Sequence, residues 1–128
     1  MVTSPVILID ASVWIDHIRS AESVISELVD ARKVLCHPFV IGEVAMGQFR
    51  NRREFLSELG KLRTAEVAEN DEVMALVERH SLFGRGIGYV DAHLLASAFL
   101  TPEARLWTRD KRLKETAQQM KLAAEGLR

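Results

Sequence analysis

Four acidic residues, Asp10, Glu43, Asp91 and Asp110, stand where a carboxylate is costly unless it has a task. Asp10 closes the apolar run Val6-Ile7-Leu8-Ile9. Glu43 shares a helical face with Phe39, Val40, Met46 and Gly47, and Ile41, Val44 and Ala45 fill the opposite side. Its helix is therefore expected to be apolar nearly all round, with one carboxylate in the middle. Asp91 begins the apolar stripe continued by Leu94, Leu95 and Ala98. Asp110 lies two residues beyond Thr108. An unpaired carboxylate in such surroundings costs several kcal/mol. Two of them about 5 Å apart repel by roughly 3 kcal/mol at an effective dielectric near 20. No lysine or arginine shares the inner face of either helix. A divalent cation relieves both costs, and an all-oxygen set suits Mg²⁺ or Mn²⁺ better than Zn²⁺. The competing local role is capping, since aspartate is a favoured N-cap; for Glu43 it is a buried pairing with a distant arginine.

The elements that must carry these residues alternate. Val6–Ile9 has the continuous apolar, β-branched character of a strand buried on both faces. A helix is expected over Ala11–Arg19, then an amphipathic one with Ala21, Val24, Ile25, Leu28 and Val29 on one side. Val34–Cys36 reads as a second strand, and Pro38 suits the first turn of a helix reaching about Gly47. Arg52–Leu62 is expected to be helical, Ala65–Val67 a third strand, and Asn70 the N-cap of a helix carrying Val73, Leu76 and Val77. The glycine-rich loop Phe83–Gly88 leads into a helix over Val90–Leu100; a strand over Arg105–Thr108 and a helix over Asp110–Gln119 complete the chain. Alternation of this kind implies a parallel sheet covered by helices, with any ligand at the carboxyl ends of the strands. Asp10 and Asp110 both fall there.

The 128 residues fit a single domain spanning 1–128, with no repeat, linker or low-complexity stretch. No apolar run approaches a membrane span. The opening Met1-Val2-Thr3-Ser4-Pro5 lacks the basic start of a signal peptide. A single cysteine, Cys36, excludes an internal disulfide framework and fits a reducing cytoplasm. The net charge of −1 advertises no polyanion partner. Were four of the eighteen acids gathered in one pocket, however, the seventeen basic residues would dominate the remaining surface.

Ile7-Leu8-Ile9-Asp10-Ala11-Ser12-Val13-Trp14, Ile41-Gly42-Glu43-Val44, Tyr89-Val90-Asp91-Ala92-His93-Leu94-Leu95-Ala96 and Leu106-Trp107-Thr108-Arg109-Asp110 occur in that order along the chain. Together they resemble the acidic motifs of the PIN-domain nucleases, particularly the VapC-type toxins of type II toxin–antitoxin systems. The resemblance implies an α/β, three-layer α/β/α sandwich with a central parallel sheet. It also implies a Mg²⁺-dependent endoribonuclease, with Mn²⁺ a possible substitute, that is a homodimer neutralised by a VapB-like antitoxin. Asp10, Glu43, Asp91 and Asp110 would be its catalytic metal ligands. Ser12 and Thr108 would position a water or a phosphate oxygen, or close local turns. Arg85 and Arg109, near the acids in sequence, are the expected contacts to an RNA backbone. The alternative is a PIN-like scaffold that binds RNA or protein without cutting.

Other aspartate-after-strand folds fit poorly. A haloacid-dehalogenase-like phosphatase would need an acid at Ser12, a receiver domain an acidic pair where Ile9 precedes Asp10, and a P-loop glycines within Ala11-Ser12-Val13. The four histidines show no zinc spacing and are expected in core or surface roles.

Overall fold

The computed structural model describes residues 5–128, so Met1–Ser4, part of the opening read as lacking a signal-peptide start, lie outside the described residues. Strand β1, Val6–Ile9, is buried along nearly its whole length, and its β-branched side chains fill the space on both faces of the sheet. Helices α1 (Ala11–Arg19) and α2 (Ser23–Asp30) lead to β2 (Val34–Cys36). Helices α3 (Pro38–Ala45) and α4 (Arg52–Lys61) lead to β3 (Arg63–Thr64). Helices α5 (Asn70–His80) and α6 (Tyr89–Leu100) precede β4 (Ala104–Trp107), and α7 (Lys111–Gln119) follows it.

All pairings are parallel, in the order β3-β2-β1-β4. The chain steps outward from β1 to β3 and then returns across the sheet to β4, so the order reverses beside β1. Such a reversal opens a crevice at the carboxyl edge, and residues just after β1 and β4 line it. With β1 buried on both sides, helices must cover both faces of the sheet. This is the expected α/β sandwich. Beyond β4, Leu106 bridges to Ala123, and its N–H and carbonyl bond to Leu122 and Ala124. No helix is long and apolar enough to cross a membrane among the described residues.

Three local expectations are adjusted. Strand β3 lies at Arg63–Thr64, not Ala65–Val67, because the short β2 offers only Leu35 and Cys36 as partners. The N-cap of α5 is Glu69, whose N–H donates to Glu72 Oε1 at 2.9 Å, while Asn70 Oδ1 instead accepts from the Tyr89 hydroxyl at 2.5 Å. Asp110 stands before α7 as its cap rather than within it. In the glycine-rich loop, Gly86 has φ +77°, and a Cβ there would overlap the Arg112 guanidinium. Glycine lets the loop lie against α7. Cys36 is buried, and burial pushes its thiol up, which makes it a core filler.

Candidate active site

Strand register builds the centre of the site. Ile9 pairs with Trp107, so the residues that follow, Asp10 and Thr108, emerge side by side. The Thr108 hydroxyl donates to Asp10 Oδ2 at 2.7 Å, and the Ser12 hydroxyl donates to the same oxygen at 2.8 Å. Asp10 Oδ1 accepts the Ala11 N–H at 2.8 Å, which makes Asp10 the N-cap of α1. Each hydroxyl also accepts a backbone N–H, from Arg109 to Ser12 and from Asp110 to Thr108, both at 3.1 Å. Asp10 is thus held in one rotamer, and Ser12 and Thr108 act on it rather than standing free.

The capping and cluster readings hold together. Asp110 Oδ1 accepts the Leu113 N–H at 3.0 Å as the N-cap of α7. Asp91, in the first turn of α6, accepts the Gly88 N–H through Oδ2 at 3.1 Å. Asp10, Asp91 and Asp110 thus each commit one oxygen to a backbone N–H at a helix N-terminus.

Glu43 departs from expectation. It lies on the open side of α3, with Phe39 and Met46 also exposed, Met46 at 87%. The apolar face expected around Glu43 is therefore only half covered by this chain. Its carboxyl is nevertheless raised from its ordinary pKa, first by partial desolvation and then by the negative charges of Asp10 and Asp91. Asp91 is raised for the same reasons: desolvation first, then Asp10 and Asp110, against the lowering effect of its Gly88 bond. The four acids share one electrostatic neighbourhood. Among the described residues the ion pairs join Lys61 to Glu58 and Arg109 to Asp16 and Glu22, and none neutralises the four.

That donor set fits a hard divalent cation. Among the described residues no three histidine, cysteine or acidic side chains are gathered tightly enough to grip one ion directly. Mg²⁺ dehydrates reluctantly and usually keeps several waters, so carboxylates arranged around it can hold it partly through water.

The two arginines are placed differently from what their sequence positions suggested. Arg109 turns away from Asp110 and sends Nη2 to Glu22 Oε1 at 2.6 Å and Nη1 to Asp16 Oδ2 at 2.9 Å. Its Nε donates to the Arg128 carbonyl at 2.8 Å, and its guanidinium lies 5.4 Å from the centre of the Trp107 ring. A phosphate could reach it only by displacing two carboxylates, so Arg109 is a tie between β4, α1 and the C-terminal segment. Arg85 Nε donates to Ser81 O at 3.2 Å and its Nη1 to Gln119, which pins the glycine-rich loop to α7. Arg52, at the start of α4, donates to the carbonyls of Ala45 and Gly47 and so closes the C-terminus of α3.

Sequence reasoning gave His37 only a core or surface role and did not single out Ser97. His37, wholly buried, accepts the Phe39 N–H on Nδ1 at 3.0 Å and meets Ser97 Oγ through Nε2 at 3.0 Å. The one available signal was its position directly before Pro38, the N-cap site of α3.

Acids gathered beside the strand-order reversal place the chain among parallel α/β folds that carry an acidic site at the carboxyl edge of the sheet. The chain belongs to the PIN domain family, which it matches over residues 7–119, and within it to the VapC type. It is similar to Ribonuclease VapC32 from Mycobacterium tuberculosis, strains CDC 1551 / Oshkosh and ATCC 25618 / H37Rv. The identity is 50% over 108 residues, covering 84% of this chain and 87% of each relative. The crystal structure of PAE2754 from Pyrobaculum aerophilum shares the fold, with TM-score 0.60 and 18% identity over 88% of this chain and 79% of that one.

Proposed function

We propose that this chain is a divalent-cation-dependent endoribonuclease, the toxin of a type II toxin–antitoxin pair, acting in the cytoplasm. The observation that carries this reading is the set of unneutralised carboxylates at the carboxyl edge, two of which, Glu43 and Asp91, are raised by desolvation first and then by the charges of neighbouring acids of the set. The ribonuclease named among its relatives supports the choice of RNA.

Asp10, Glu43 and Asp91 would hold Mg²⁺ or Mn²⁺, with Asp110 completing the set. When bound, the cation polarises a scissile phosphate and lowers the pKa of the attacking water. Asp10 supplies a fixed anchor because three donors define its rotamer. Glu43 and Asp91 supply charge that is costly without a cation and favourable with one. Ser12 and Thr108 orient Asp10. Arg85, part-exposed within the glycine-rich loop, would meet the RNA backbone through the N–H groups left over from its bonds to Ser81 and Gln119. Water attacking the phosphorus in line with a departing 3′-oxygen, as the family resemblance implies, would leave a 5′-phosphate and a 3′-hydroxyl.

Purified chain incubated with RNA is expected to generate such ends with Mg²⁺ or Mn²⁺ and none with EDTA. Failure to generate new ends with either ion would discard the enzyme reading in favour of a noncatalytic PIN-like scaffold.

Two partner surfaces accompany this reading. Phe39 and Met46, which share the face of Glu43, offer apolar contact beside the acids for a VapB-like antitoxin peptide. A second copy would cover the groove lined by Glu72, Ala75, Leu76, Arg79, Ala96 and Phe99. Glu72 and Arg79 flank the small Ala75 on one face of α5, so a two-fold pairing about Ala75 sets Glu72 of one copy against Arg79 of the other. Sedimentation should show a dimer that Phe99→Glu converts to monomer; an unchanged dimer would place the interface elsewhere.

A further inference from the structure

Glu43 and Asp91 ride on separate helices, and backbone pairing in the sheet does not fix one helix against the other. Eight residues make α3 a short helix, held at its C-terminal end by Arg52. Its N-terminal end is held by His37. Because Nδ1 accepts the Phe39 N–H, the neutral ring carries its proton on Nε2, which donates to Ser97 Oγ at 3.0 Å. Ser97 lies in α6, six residues beyond Asp91, and both partners of this bond have no solvent exposure. The ring of Phe39 closes over His93 of α6 at a centroid distance of 4.6 Å, and His37 lies 5.7 Å from His93, so water is kept from the bond. Register adds the third acid. Leu8 pairs with Leu35, which brings His37 level with Asp10 at the carboxyl edge.

We propose that the His37–Ser97 hydrogen bond is a positioning strut that sets Glu43 relative to Asp91 and thereby the site's affinity for a divalent cation. The proposal rests on the metal reading above and deepens it. His37 and Ser97 are positioning residues: neither reaches the crevice, and both act through the helices that carry the acids. A buried bond of this kind has no water to replace it when one partner is removed, so α3 can shift against α6. Partners bonded directly to metal ligands are typically worth about 10- to 100-fold in metal affinity, and a strut acting one step further out, through the helices, is expected at the lower end of that range.

The test is Mn²⁺ binding by calorimetry on the full chain, well below each variant's melting temperature, with folding checked by circular dichroism. Ser97→Ala removes the hydroxyl and leaves the cap on α3 intact. It is expected to raise the Mn²⁺ dissociation constant by about 10-fold. Ser97→Thr, which keeps a hydroxyl, should return most of the affinity. Leu95→Val, a cavity variant two residues away in the same helix, should lower the melting temperature but leave the dissociation constant within about 2-fold of the parent, because it breaks no hydrogen bond. The strut is overturned if Ser97→Ala binds Mn²⁺ as the parent does, or if Leu95→Val weakens binding equally. Should the parent itself bind no Mn²⁺, the metal reading falls, and the strut with it. A parent that binds normally alongside an unaffected Ser97→Ala removes the strut alone.

Discussion

Replacing Asp10 by asparagine is expected to slow RNA cleavage by about a thousandfold, the scale seen when one preorganised electrostatic group is lost, while the fold survives. Asp10 is the one acid of the four that is buried, and it receives three hydrogen bonds. Asparagine keeps its shape, and its oxygen can still accept the Ala11 N–H. Its amide then faces the Ser12 and Thr108 hydroxyls, which must rotate to accept while still accepting the N–H groups of Arg109 and Asp110. The disturbance amounts to about 1–2 kcal/mol, too little to unfold a typical domain. What disappears is the charge at the centre of the crevice. Single-turnover cleavage on gels measures the rate, and thermal melting with and without Mn²⁺ reports the cation. The parent should melt higher with Mn²⁺, since a ligand that binds only the folded state stabilises it, and Asp10→Asn should lose that gain. A clean preparation of the variant cutting at the parental rate would end the catalytic assignment of Asp10.

The second large effect concerns stability in mild acid. Burial, reinforced by His93, lowers the pKa of His37 to about 4 from its ordinary 6.5. A lowered histidine favours the folded state when neutral. Its contribution is therefore present in full above pH 6.5 and drains away as pH falls toward about 4. The shift corresponds to about 3 kcal/mol as an order of magnitude. His17 and His93, both lowered mainly by burial, act in the same direction. Glu43 and Asp91 act oppositely: their raised carboxyls favour the folded state at low pH and cost stability as pH rises through their folded values. Denaturant unfolding at several pH values without added metal should show a loss between pH 6.5 and 4 that is shallower in His37→Asn, a residue that can still cap α3. Absolute stability will differ between the two proteins, so the comparison is between slopes. Identical slopes would mean that His37 is not buried as a neutral ring.

Much of this molecule is written locally. The apolar run ending at Asp10, the turn chemistry at Pro38, and the stripe beginning at Asp91 each announce an element and an acid from a few neighbouring residues. Helix and strand periods are short-range properties, which a single chain displays without its partners. The alternation of elements gave the parallel sheet, and the carboxyl-edge rule gave the location of Asp10 and Asp110.

Other features depended on what meets what. Thr108 reaches Asp10 across 98 positions of sequence because Ile9 and Trp107 share a register. Arg109 is next to Asp110 in the chain yet binds Glu22 and Asp16, since the residue after Thr108 points toward α1. Glu43 belongs to a helix whose composition suggested complete burial, but composition does not reveal how much of an apolar face the chain itself covers; Met46 remains in the open. His37 looked like an isolated core histidine until α6 brought Ser97 to its Nε2. Sequence alone determined which elements form and which acids end them. Tertiary structure decided which acids are held, which are left unneutralised, and which cations are already taken, because hydrogen bonds and charges act across angstroms of space regardless of their separation along the chain.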